Sequence, residues 1–131
     1  MIGLDSNILI RYLAQDDSEQ SPKATALIER TLTEDNPGFV SVVAMAETVW
    51  VLERVYRLTA QDVATSVERM LQADVLVVEN EQEVLTAMIA LQEGRGSFAD
   101  ALIGALGDKS GCSHTLTFDR KAARLAGFAL A

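Results

Sequence analysis

The sequence predicts an α/β fold, a mostly parallel sheet of about five strands covered by helices on both faces. Three observations carry this. Short apolar stretches alternate along the chain with stretches of helical periodicity, the pattern of strand–helix–strand crossovers. Of the 131 residues, 49% are hydrophobic, enough for one core. No repeat, low-complexity tract or long linker divides the chain, so residues 1–131 are expected to form a single domain.

Residues 2–5, IGLD, read as a buried strand, and Ser6 as the N-cap of the helix NILIRYLA. SPKATALIERTLTED reads as a second helix, with Ser21 as N-cap and Pro22 at the first helical position, where a missing N–H does no harm. NPG at 36–38 ends it, and GFVS (38–41) is the next strand. Ser41 caps the long helix VVAMAETVWVLERVYR, and Thr59, with Asp62 three residues on, caps the helix LTAQDVATSVERMLQA. DVLVVE is valine-rich and reads as the third strand. EQEVLTAMIALQEG is a helix ended by Gly94, and SFADALIGALGDKSG a helix capped by Ser97 and stopped by Gly111. CSHTLTF is a fourth strand, DRKAARLAG a last helix ending at Gly127, and FALA a fifth strand.

Composition bounds the function. No apolar run approaches the roughly 18 residues of a membrane span. The first residues read as a strand without a basic flank or cleavage-like site, so no secretory signal is expected. The single cysteine, Cys112, permits no internal disulfide and suits a reducing cytoplasm. The net charge of −8 argues by itself against a nucleic-acid binder. Its distribution is less simple. Residues 1–94 carry 6 basic and 16 acidic residues, a net of −10, whereas residues 95–131 carry a net of +2.

Four acids stand out. Asp5 ends the first strand inside an apolar run, where an unpartnered buried carboxylate costs several kcal/mol. Asp119 closes the fourth strand. Both have an innocent role as helix N-caps. Asp100 lies three residues after Ser97, as in a capping box, but its side chain is one methylene shorter than the glutamate that closes such a box. Glu47 lies mid-helix, with Val43, Ala44, Trp50 and Val51 as its helical neighbours, none able to pair with it. In a parallel α/β sheet, strand ends and helix starts meet at one edge, where ligands bind. Carboxylates gathered there repel one another unless a cation offsets them. Carboxylates with water are the usual ligands of Mg²⁺ or Mn²⁺, and one His with one Cys makes no zinc set.

LDSNILIRYL, VVAMAE, SFADALIGAL and TFD, in this order, resemble the four acidic motifs of the PIN domain, and more closely those of the VapC toxins of prokaryotic toxin–antitoxin pairs. The resemblance spans the whole chain, and FADALI followed by TFD is its most specific part. It implies a three-layer α/β/α sandwich and metal-dependent endoribonuclease activity. Asp5, Glu47, Asp100 and Asp119 match the family's acidic positions and would hold Mg²⁺ or Mn²⁺ to activate a water for attack on an RNA phosphodiester. Asn7 and Thr117 match polar positions near the site. The resemblance also implies a homodimer and a cognate antitoxin. The antitoxin's tail would lie in an apolar groove of the early helices, lined by Leu9, Tyr12, Leu13, Leu27 and Ile28. The net of −10 over residues 1–94 favours a basic partner.

Arg95, Lys109, Arg120 and Lys121 lie near the predicted site elements and are candidates for holding the RNA backbone, with a solvated basic face as the alternative for each. A haloacid dehalogenase-type phosphatase also puts an Asp at the end of strand one, but its chemistry needs a second Asp where this chain has Asn7. A non-catalytic PIN-like interaction module is the reading from a different class. His114 is expected to be structural, Cys112 a small buried hydrophobe, and Trp50 part of the core.

Overall fold

The computed structural model describes residues 1–131. Strands β1 (Ile2–Gly3), β2 (Gly38–Val40) and β3 (Leu76–Val78) form one parallel ladder in that spatial order. Strands β4 (Thr115–Thr117) and β5 (Phe128–Leu130) form a second parallel pair. The connections carry helices α1 (Ser6–Ala14), α2 (Gln20–Ala26), α3 (Val42–Arg54), α4 (Ala60–Gln72), α5 (Glu81–Gln92) and α6 (Phe98–Lys109). This is the mixed α/β class with parallel strands that the alternation predicts, with the five strands divided between two sheets rather than one, and it is consistent with the three-layer α/β/α fold that the resemblance implies. No helix is long and apolar enough to cross a membrane.

Val40 and Val78 are in register across β2 and β3, and with Leu4 they place the sheet against one core cluster of 23 buried residues. The long side chains of that core come from the helices: Leu9, Met45, Leu52 and Phe98 are among its most enclosed. Gly38 lets β2 lie close against the core. A Cβ there would stand 2.7 Å from Leu4 Cδ1 and 2.8 Å from Leu32 Cδ1.

Several boundaries differ from the sequence reading, each for a local physical reason. Helix α1 is capped by Asp5 rather than Ser6, and Ser6 is its first residue. The helix expected through residue 35 stops at Thr31. Its last part, Leu27–Thr31, widens to π-helix, and Leu32 turns out with extended angles to bury itself in the core. The last expected helix is only a 3-10 turn, Ala122–Arg124. It too is cut short by a leucine, Leu125, that leaves the turn to become buried. The fourth strand spans three residues, so His114 lies outside it. Cys112 is exposed rather than buried.

Two expected surfaces also change. Leu9 and Ile28 lie in the core, so the early helices offer no apolar groove lined by them. Trp50, expected in the core, is 57% exposed.

Candidate active site

Asp5 follows β1 and caps α1. Its Oδ1 accepts the Ser6 N–H at 2.8 Å. Ser6 is almost fully buried, and its hydroxyl donates to Glu47 Oε1 on α3. The same hydroxyl oxygen stands 3.5 Å from Asp5 Oδ1. A serine has one O–H proton and one N–H, and Ser6 gives the first to Glu47 and the second to Asp5. One residue therefore ties two carboxylates together, reaching Glu47 across 41 positions of sequence. Sequence reasoning assigned Ser6 only a cap. Its place beside Asp5 was the available signal, but its partner lies too far away in the chain to be read.

Asp100 and Asp119 form a second pair by a different route. Ser97 caps α6, its Oγ accepting the Asp100 N–H at 3.1 Å. The reciprocal half of a capping box is missing, since the Asp100 carboxylate makes no hydrogen bond within the protein. Asp119 has the expected capping role in part. Its Oδ1 accepts the Lys121 N–H at 2.8 Å and its own N–H donates to Thr117 Oγ1 at 3.0 Å, while Oδ2 is free. Asp100 and Asp119 line one cavity of about 430 Å³, together with Arg95, Ser97, Lys121 and Arg124. Gly96 closes it from behind. A Cβ there would meet Leu125 Cδ1 and Cδ2 at 2.9 Å, so a larger residue would have to displace the buried Leu125 side chain.

The first turn of α6 joins the two pairs. Phe98 and Ala99 line an apolar groove of about 540 Å³ with Val43, Glu47 and Trp50 of α3, while Asp100, next in sequence, faces the other cavity. Burial in that groove pushes the Glu53 carboxyl above its ordinary value, partly offset by Arg54. A further acid, Glu79 at the end of β3, is engaged elsewhere: it accepts the Val42 N–H at 2.8 Å and completes the cap of α3. Asn7 is exposed at the start of α1.

None of the four predicted acids is ion-paired. The ion pairs of the chain join Arg11 to Asp16, Arg95 to Glu93 and Lys109 to Glu83. Lys109 lines a separate cavity with Cys112 and His114, away from the acids it was expected to serve. The four carboxylates stand as two pairs, and no three or more potential ligands gather at one point. By donor chemistry the site fits a hard divalent cation: all side-chain donors are oxygens, several free, with no histidine or cysteine among them.

A parallel α/β chain with uncompensated carboxylates at strand ends and helix starts, flanked by cations, has the makings of a phosphate-directed site. Residues 2–128 match the PIN domain family, and the chain belongs to it. PIN domains are generally metal-dependent nucleases that act on nucleic acids. No curated protein matches the chain.

Proposed function

We propose that residues 1–131 form a single PIN-like domain acting as an Mg²⁺- or Mn²⁺-dependent endoribonuclease. In this reading it is the cytoplasmic toxin of a toxin–antitoxin pair, a homodimer held inactive by a cognate antitoxin. The observation that carries the enzymatic part is the pair of acid pairs, Asp5 with Glu47 and Asp100 with Asp119, none of which forms an ion pair. These oxygens would hold the cation. When bound, the divalent ion supplies an activated water and offsets charge building on the phosphate. Ser6 orients Asp5 and Glu47 from below. Arg95 and Lys121 sit beside Asp100 and Asp119, where they bind and orient the phosphates on either side of the bond to be cut.

The partner reading is supported by an apolar surface at α3 and α6 rather than at the early helices. Val43 is 78% exposed there, beside Trp50 and Ile103, and the acids bordering the groove are Glu47 and Glu53. One observation favours a second reading, a non-catalytic PIN-like module: the two acid pairs do not converge on one point.

The test is cleavage of a panel of RNAs by the purified chain with Mg²⁺, with Mn²⁺ and with EDTA, followed by sequencing of the cut ends. Cleavage that stops in EDTA is expected. Full activity in excess chelator overturns the metal mechanism, and none in any condition supports the module. Expression with and without the neighbouring gene product tests the toxin role, and light scattering of the purified chain tests the dimer.

A further inference from the structure

Phe118 is 90% exposed, the most exposed large hydrophobic residue of the chain, and it immediately precedes Asp119. Its outward pose is built into the backbone. Behind it, the Asp119 N–H donates to Thr117 Oγ1 at 3.0 Å; ahead, Asp119 Oδ1 accepts the Lys121 N–H at 2.8 Å and the Asp119 carbonyl accepts the Ala123 N–H at 3.0 Å.

Its surroundings indicate what covers it. Arg120, Lys121 and Arg124 follow within six residues, and Lys121 and Arg124 line the Asp100–Asp119 cavity with Arg95. Among the side chains of Arg95, Lys121 and Arg124 the only pairing is Arg95 with Glu93 at 3.4 Å, exposed on both sides and so weak. The centre of a protein–protein interface is depleted in charge, whereas an exposed ring followed in the chain by three cations, two of which line the cavity that the adjacent Asp119 lines, suits a nucleobase and its phosphates.

We propose that Phe118 is a nucleobase-binding residue: an unpaired base stacks on its ring while Arg95, Lys121 and Arg124 hold the adjoining phosphates. This rests on the nuclease reading and adds to it the residues that seat the strand. Stacking accepts any base, because each has a π-face. A base within a duplex is already stacked on its neighbours, so the contribution of Phe118 is confined to unpaired segments.

The experiment measures binding of a fluorescent single-stranded RNA oligonucleotide in EDTA, where binding is read apart from cleavage, over a series of salt concentrations. Phe118→Ala is expected to weaken binding roughly 5- to 100-fold with an unchanged salt slope, and Phe118→Trp to restore it. The triple variant Arg95→Ala, Lys121→Ala, Arg124→Ala is expected to flatten the slope of log K against log salt by about 2, since each lost phosphate contact removes about 0.7. Circular dichroism of each variant checks that the fold is intact. Equal binding by wild type and Phe118→Ala overturns the proposal, as does wild type that does not bind. Conversion of a dimer to a monomer by Phe118→Ala, with RNA affinity unchanged, also overturns it and assigns the ring to a second copy of the chain. A wild type that binds with this dependence on Phe118 but does not cleave when Mn²⁺ is restored refutes the nuclease reading instead.

Discussion

Asp5 and Glu47 are held by a buried serine, whereas Asp100 and Asp119 stand in an open cavity among cations. The first pair belongs to the region with a net charge of −10 and the second to the region with +2. The acidic half is also the more tied in its polar contacts. Arg11 and Tyr56 both bond Asp16, and the Tyr12 hydroxyl donates to Glu29 at 3.1 Å. The basic half leaves Phe118, Leu116 and Cys112 in solvent. The contrast separates two tasks of a phosphate-directed site. Carboxylates that hold a cation benefit from fixed geometry, while groups that take up a flexible strand need access and positive charge.

The largest expected effect tests whether both halves serve one centre. Asp5→Asn and Asp119→Asn should each reduce RNA cleavage by more than the roughly 10- to 100-fold typical of a neighbour that only orients a ligand. Both should also lose the metal-induced stabilisation, about 2.7 kcal/mol for wild type at a hundredfold excess over Kd. Without metal both should unfold within about 0.5 kcal/mol of wild type, because Asn caps as well as Asp. Thermal unfolding in EDTA and in Mn²⁺ measures this. If both variants keep the shift and the activity, the aspartates are caps and the two halves are unrelated.

Next in size is the tie itself. Ser6→Ala should lower cleavage roughly 10- to 100-fold and weaken Mn²⁺ binding by calorimetry, and Ser6→Thr, which keeps the hydroxyl, should recover most of both. Unchanged Mn²⁺ affinity in Ser6→Ala would remove the distinction between a tied and an open pair.

A smaller effect is expected at the mouth of the open half. Ser97→Ala removes the cap of α6 and should cost about 1 kcal/mol in denaturant unfolding, with or without metal. A metal-dependent cost would show that Ser97 acts on the ion through Asp100.

The smallest concerns the polar clasp. The Tyr56 hydroxyl, donating at 2.7 Å, is the largest influence holding the exposed Asp16 carboxyl below its ordinary value of 3.8, with Arg11 adding to it. A depressed folded-state value stabilises the fold above the ordinary one and loses that contribution as the pH falls through the folded value. Asp16→Asn should therefore be slightly less stable than wild type at neutral pH, and the two should converge in acid. A difference that persists in acid would trace the effect to packing rather than charge.

What was legible in the sequence was local. The caps Ser41, Thr59 and Ser97 each bond the backbone N–H three residues on, because a cap and its target are near neighbours on the chain. The alternation of strand and helix specified the α/β class for the same reason. Of the four candidate acids only Glu47 stands out in the sequence as lacking a local partner, and it shows the limit of that inference: it does have a partner, Ser6, on another helix. The lengths of the second helix and of the last turn were misread because Leu32 and Leu125 leave the helical path to reach the core, a gain that propensity does not register.

The sequence by itself determined the class of fold, the order of its elements, four candidate acids and the uneven charge of the two ends, since these depend on residue type and short spacing. Only the tertiary structure decided that the acids stand as two pairs, that Ser6 joins one of them, that Trp50 and Phe118 face solvent, and that Leu9 and Ile28 do not. Those facts depend on which elements pack against which, and packing is settled by contacts between residues tens of positions apart, whose closure no local pattern encodes.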